Sequence, residues 1–226
     1  MSRKEARAVG IASDRDLDVA GLAAHHRVAL EPTQLVGLDA FADLLLAWNA
    51  RINLTGARTK AALVSGHFPD AFALAALLDG PAHVVDVGSG GGLPALPLAL
   101  LRPNLTVDLC EPIAKKGAFL RTAIRELGLA ARVQLHALRA EALLATHAAR
   151  FDVAMSRATL PPAEWLALGE RLVRTGGRVL ALVRIGGPTA SADRRHSYDH
   201  GRRAILERDV PHGPPQSQPG RKLSGR

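Results

Sequence analysis

Cys110 is the only cysteine in 226 residues. No internal disulfide can form, and a reducing cytoplasm is the expected home. Long apolar runs are missing too: no uncharged apolar segment reaches the roughly 18 residues that a bilayer span needs, so no membrane partner is expected. The amino end lacks the apolar core of a secretory signal, since Met1-Ser2-Arg3-Lys4-Glu5-Ala6-Arg7 leads into mixed charge. No lysine stands beside the glycine-rich stretch at 88–92, which removes the phosphate-gripping Gly-Lys-Ser/Thr loop and with it ATP or GTP. A hydrolase elbow around Ser89 is excluded because Val87, not glycine, stands two positions before it. The histidine pairs His25-His26 and His196/His200 have no cysteine or carboxylate cluster beside them, and no metal site is expected.

What is present centres on Val85-Asp86-Val87-Gly88-Ser89-Gly90-Gly91-Gly92. The run reads as a buried strand, an acidic residue and a glycine turn, and Leu93-Pro94-Ala95-Leu96-Pro97-Leu98 then opens a helix. Proline is tolerated there because first-turn N–H groups have no partner inside the helix. The dinucleotide pattern G-x-G-x-x-G fails at Leu93. The run fits D-x-G-x-G-x-G instead, the pattern of enzymes that use S-adenosylmethionine. Such a cofactor wants a carboxylate at the end of the next strand to accept from its ribose hydroxyls. Thr106 to Cys110 reads as that strand, and Glu111 follows Gly92 at close to the roughly 20-residue separation expected. Asp86 is expected to accept the N–H groups of the loop, and Cys110 to fill core.

The net charge of +8 is unevenly spread. Residues 1–80 hold eight basic and nine acidic side chains, whereas residues 81–226 hold twenty-one and twelve, mostly arginine among the basic ones. A polyanionic partner fits that bias, because arginine pairs well with phosphate oxygens.

The apolar spacing predicts an α/β protein with leading helices and a mostly parallel, doubly wound sheet. Residues 1–80 form the helical region, 81–208 the α/β domain and 209–226 a disordered basic tail, with at most a loose helix within 1–31. Thr33 is the expected N-cap of a helix whose inner face carries Leu35, Leu38, Phe41, Leu45 and Trp48. A second helix runs from Lys60 to Leu78. Strands follow at 83–87, 106–110, 132–136, 151–155 and 178–183, with helices at 94–101, 114–127, 138–148 and 163–173. Thr175-Gly176-Gly177 reads as a turn, and Arg202 to Leu206 as one further strand. His67 and Asp70, one helical turn apart, are expected to share a structural hydrogen bond. Asn49 and Asn53 are expected to cap turns.

From Phe41 to Leu182 the chain resembles the bacterial small-subunit (16S) ribosomal RNA guanine-N7 methyltransferases, the glucose-inhibited division protein B family. The likeness is carried by Trp48-Asn49, Asn53-Leu54-Thr55, His67 and Asp70, Asp86 to Pro94, Arg102-Pro103, Glu111 to Leu120, and Ser156-Arg157-Ala158. The resemblance implies a Rossmann-like class I methyltransferase in which residues 1–80 form an N-terminal helical cap, with S-adenosylmethionine as cofactor in contact with Gly88, Leu93, Ala140, Glu141 and Arg157. Gly90 and Glu111 join that set from the loop pattern and spacing. The chain departs from the family near its end, where Arg184-Ile185-Gly186 replaces lysine-glycine and the final segment is short, and at Lys116-Gly117, where lysine-arginine is typical.

The implied acceptor is guanine N7 in ribosomal RNA or the small ribosomal subunit, reached by a monomer. N7 keeps an in-plane lone pair at neutral pH, so no catalytic base is required, and alignment supplies most of the rate. Lys115 and Lys116 head a helix, where cations oppose the dipole, a placement that suits a phosphate ligand. Two other functions remain open at this level: a methyltransferase acting on a protein or small molecule, and a non-catalytic RNA-binding relative.

Overall fold

The computed structural model describes residues 18–211. The expectation of a disordered tail falls almost wholly outside them. Three helices come first: α1 (Val19–His26), α2 (Pro32–Asn49) and α3 (Lys60–Leu77). Strand and helix then alternate through β1 (Ala82–Val87), α4 (Ala95–Leu101), β2 (Leu105–Cys110), α5 (Ala114–Glu126), β3 (Val133–His136), α6 (Ala140–His147), β4 (Phe151–Arg157), α7 (Pro162–Glu170) and β5 (Val173–Arg184). Two strands end the described residues, β6 (Arg194–Tyr198) and β7 (Arg203–Asp209).

The seven strands form one sheet in the order β3-β2-β1-β4-β5-β7-β6. β1 to β5 pair in parallel, as their near-continuous apolar runs require. β7 lies antiparallel to β5, and β6 antiparallel to β7. Alternate residues send side chains to opposite faces, so Val84, Val107 and Val153 meet the front layer while Val85, Cys110 and Ala154 meet the back. Helices α1 to α5 cover the front, and the core there runs unbroken from Val19 to Ile205. α6 and α7 cover the back around Phe151 and Trp165.

Several local readings change. A regular helix, α1, stands where at most a loose one was expected, capped by Asp18 Oδ1 accepting from Gly21 N–H at 2.7 Å. The cap of α2 is Glu31 rather than Thr33: Pro32 takes the first helical position, and Glu31 and Gln34 close a reciprocal capping box. Leu38, Phe41 and Leu45 are buried on that helix, Trp48 packs edge-to-face on Phe119, and Leu35 is left exposed. Residues 175–177 lie inside β5 as an irregularity, not a turn between elements. Gly177 allows it, because a Cβ there would sit 2.8 Å from the Asp152 carbonyl oxygen. β6 is an additional strand. Its sequence, Arg194-Arg195-His196-Ser197-Tyr198, has no apolar alternation to announce it.

Candidate active site

The glycine loop joins the carboxyl end of β1 to α4, where ligands bind in open α/β sheets. Gly88 has φ +80°, and a Cβ on it would fall 2.1 Å from Thr159 Oγ1. Gly90 has φ +57°, yet its missing Cβ faces open space, the nearest protein atom being the Gly88 oxygen at 3.8 Å. The first glycine is therefore demanded by packing, while the second keeps a stretch of backbone bare.

Neighbouring strands pin the loop. Gly88 and Ser89 N–H groups donate to the Cys110 carbonyl at 2.9 and 3.2 Å. Gly90 N–H donates to Glu111 Oε2 at 2.8 Å, and the other oxygen of Glu111 accepts from Ile113 N–H at 2.9 Å. Ser156 Oγ and Thr159 Oγ1 both donate to the Val87 carbonyl, at 2.8 and 3.0 Å. Glu111 is only 3% exposed, and each of its oxygens retains a lone pair for a further donor.

Asp86 does not accept the N–H groups of the loop; Ser89 Oγ donates instead to its main-chain carbonyl at 2.9 Å. The N–H groups of Gly88, Ser89 and Gly90 go to Cys110 and Glu111, and Asp86 Oδ2 is buried with no hydrogen-bond partner among the described residues. Burial pushes its carboxyl up to about 7. Cys110 fills core, as expected, and burial holds its thiol up at about 12.

A second construction meets the loop at the end of β4. Arg157 donates to Asp70 Oδ2 at 2.9 Å and to His67 Nδ1 at 3.1 Å. The expected bond between His67 and Asp70 is not formed; the arginine stands between them. His67 Nε2 lies 2.9 Å from Thr55 Oγ1. Accepting from Arg157 at Nδ1 requires a neutral ring with its proton on Nε2. Burial and the Arg157 charge push the His67 pKa down to about 4, which keeps it in that form. Asp70, 2% exposed, also accepts from Tyr198 OH at 2.8 Å and Arg203 at 2.6 Å. The two guanidinium groups hold its carboxyl below the usual carboxylate range despite burial. Arg203 reaches on to Asp199 at 3.1 Å and to the Gly66 carbonyl at 2.7 Å. Pro69 inside α3 breaks the amide ladder in this turn, next to the carbonyl that Arg203 uses.

Asn49 is a turn residue, as expected. Its side-chain oxygen accepts from Leu54 and Thr55 N–H at 2.8 and 3.0 Å, and its nitrogen donates to the Thr55 and Ala57 carbonyls. It thereby fixes the segment that presents Thr55 to His67. Asn53 is exposed.

A cavity of about 630 Å³ opens beside this network, lined by Asp70, Arg157, Thr159, Leu182, Tyr198 and Arg203 among others. Gly88, Gly90, Leu93 and Glu111 thus come together at the loop, and Arg157 stands across from them at the cavity. Ala140 and Glu141 form the first turn of α6, beyond β3 and two strands from β1, with Glu141 exposed. Lys115 is exposed and Lys116 half-buried at the start of α5. Thr159, Tyr198 and Arg203 were not singled out from sequence. Tyr198 is the chain's only tyrosine, and Arg203 lies in the run read as a last strand.

The family profile described as "GidB: rRNA small subunit methyltransferase G" matches residues 34–185. A ribosomal RNA small subunit methyltransferase G from Anaeromyxobacter sp. (strain Fw109-5) is 40% identical over 153 residues, covering 67% of this chain and 70% of the relative. One of the same name from Myxococcus xanthus (strain DK1622) is 39% identical over 150 residues, covering 66% and 68%. Among solved structures, a putative O-methyltransferase from Klebsiella pneumoniae superposes with TM-score 0.55 at 16% identity, over 82% of this chain and 92% of that one. An RNA methyltransferase from Salinibacter ruber, in complex with S-adenosyl-L-homocysteine, gives 0.53 at 17%, over 67% and 97%. These two share the fold. The family match ends at residue 185, yet the Asp70 network draws Tyr198, Asp199 and Arg203 from beyond it. With its glycine loop, its Arg157 site and more than half its length in register with the profile, the chain belongs to the GidB family of rRNA small subunit methyltransferase G proteins.

Proposed function

We propose that this protein transfers the methyl group of S-adenosylmethionine to N7 of a guanine in 16S ribosomal RNA. The observation that carries the reading is the bare-backbone loop at Gly90, clamped by Glu111, beside an arginine-lined cavity at the same sheet edge. The cofactor, when bound, supplies a sulfonium-activated methyl group. Gly88, Gly90 and Leu93 would let it lie against backbone, Glu111 would accept from its ribose hydroxyls, and Ala140, Glu141 and Arg157 would complete its contacts. The fit rests on the open space over Gly90 and on the unused lone pairs of Glu111.

The remaining work of the protein is positioning and exclusion of water. Guanine N7 attacks through an in-plane lone pair, so no side chain needs to take a proton. Neutral His67 serves geometry: with Asp70 it holds Arg157 at the cavity. Arg157, Arg184 and Arg203 line the cavity against the single carboxylate of Asp70, which leaves it positive for a phosphate-bearing acceptor. N7 lies in the deep groove of an RNA duplex, so the target guanine has to be unpaired or flipped to enter. No helix among the described residues is long and apolar enough to cross a membrane.

The test supplies labelled S-adenosylmethionine and small subunits from cells lacking the enzyme. Label is expected in 7-methylguanosine of 16S RNA. Label confined to protein, to a small molecule or to another base position refutes the assignment.

A further inference from the structure

Three histidines from three elements gather around one buried carboxylate on the back face of the sheet. Asp108, in the middle of β2, has a side chain 6% exposed. Its Oδ2 lies 2.7 Å from His136 Nε2 at the end of β3, and its Oδ1 lies 2.9 Å from His83 Nε2 near the start of β1. Among the described residues no lysine or arginine pairs with it. His147, the last residue of α6, packs edge-to-face on His136 with ring centroids 4.8 Å apart, and stacks flat on Phe151. One donor atom each from Asp108, His136 and His147 lies within 4.8 Å of the other two.

Thr146 Oγ1 lies 2.7 Å from His147 Nδ1 and 3.2 and 3.3 Å from the Leu143 and Ala142 carbonyls. With the hydroxyl proton on a carbonyl it accepts from Nδ1–H, the tautomer that presents Nε2 as the bare lone pair with which imidazole binds a metal. The Phe151 ring holds its plane.

We propose that Asp108, His136 and His147 form a site for a divalent transition-metal ion of the zinc type, with His83 holding the second carboxylate oxygen. Two imidazoles and one carboxylate are a donor set that zinc accepts in tetrahedral geometry, with the fourth position left to water. His83 plays the part of the outer hydrogen-bond partner that orients a ligating group. At metal–ligand distances of about 2.0–2.2 Å the donors stand about 3–3.5 Å apart. The 2.7 Å pair therefore opens and the 4.8 Å spread closes, by side-chain rotation.

The site lies partway down the back face from the glycine loop: His83 stands near the far end of β1, while His136 pairs with Cys110 and its carbonyl accepts from Glu111 N–H at 3.1 Å. It ties edge strand β3, four residues long and paired only to β2, to the end of α6. Sequence reasoning missed it because the four residues span 65 positions and no two are neighbours in the chain.

Full-length protein stripped with EDTA and titrated with zinc chloride by calorimetry tests the site, with cobalt(II) absorption reporting coordination. A single ion is expected at micromolar or tighter Kd, with a four-coordinate cobalt spectrum. His147→Ala changes a half-buried residue at a helix end, so the fold survives; it is expected to weaken zinc binding at least about tenfold, as is His136→Gln. His25, His26 and His200 also gather, with ring centroids 5.1 and 5.7 Å apart, and provide the control. His25→Ala is expected to leave the titration unchanged. Unaltered zinc affinity in His147→Ala, loss of binding in His25→Ala, or no binding at micromolar zinc overturns the proposal.

Discussion

Asp70 and Asp86 are equally buried and oppositely served. Asp70, on a cap helix, collects two guanidinium groups and a phenol, and its carboxyl is held low. Asp86, on the central strand beneath the glycine loop, has one oxygen without a partner and a carboxyl raised to about 7. Charge is stabilised at the first site and opposed at the second. The cap side of the site is thus a finished side-chain network. The loop side is held through backbone N–H groups and Glu111, with the charged form of Asp86 disfavoured by burial beneath it.

The largest effect is expected from Asp70→Asn. It leaves Arg157 and Arg203 facing a neutral amide, and breaking a buried pair costs about 3–5 kcal/mol. Urea unfolding measures the loss; a change within error would mean that the network does not hold the cap. Asp86→Asn is expected to act in the other direction. A carboxyl whose folded pKa is raised costs stability as pH climbs from about 4 to about 7. Wild type should therefore lose about 1.4 kcal/mol per pH unit relative to the variant across that window. Parallel pH–stability curves would break the contrast.

Tyr198→Phe removes one donor to a charged acceptor and is expected to cost about 1.5–3 kcal/mol, read by thermal unfolding. His67 adds a separate acid sensitivity. Its folded pKa near 4 lies below the ordinary 6.5, so stability falls as pH drops between those values, and His67→Gln should flatten that limb. Gly90→Val is expected to cost the fold least, about 1–2 kcal/mol of left-handed strain, while abolishing S-adenosylhomocysteine binding in calorimetry. Unchanged affinity would show that the loop does not hold the cofactor.

The same contrast separates what could be read in the sequence from what could not. The loop, Glu111 and the order of strands and helices β1 to β5 lie within short, periodic stretches, where local spacing carries the information. The Arg157 network joins Thr55, His67, Asp70, Arg157, Tyr198 and Arg203, which meet only once the sheet has placed β4, β6 and β7 beside the cap. His67 and Asp70 were recognisable as a pair, but the arginine between them comes from 87 positions away from Asp70. β6 and the irregularity in β5 escaped because an arginine-rich edge strand and a double glycine carry turn or loop signals in isolation. Leu35 shows the reverse error: its spacing matches the buried face of α2, but the neighbouring elements do not reach far enough to cover it.

The unbroken front core has a thermodynamic corollary. Leu22, Phe41 and Phe68 of the three leading helices share one apolar mass with Val84, Val107 and Ile205 of the sheet. Melting those helices alone would hand α4 and the strands beneath it to water. A calorimetric scan should accordingly show a single cooperative endotherm, and a fragment beginning at residue 81 should not hold a native tertiary signature.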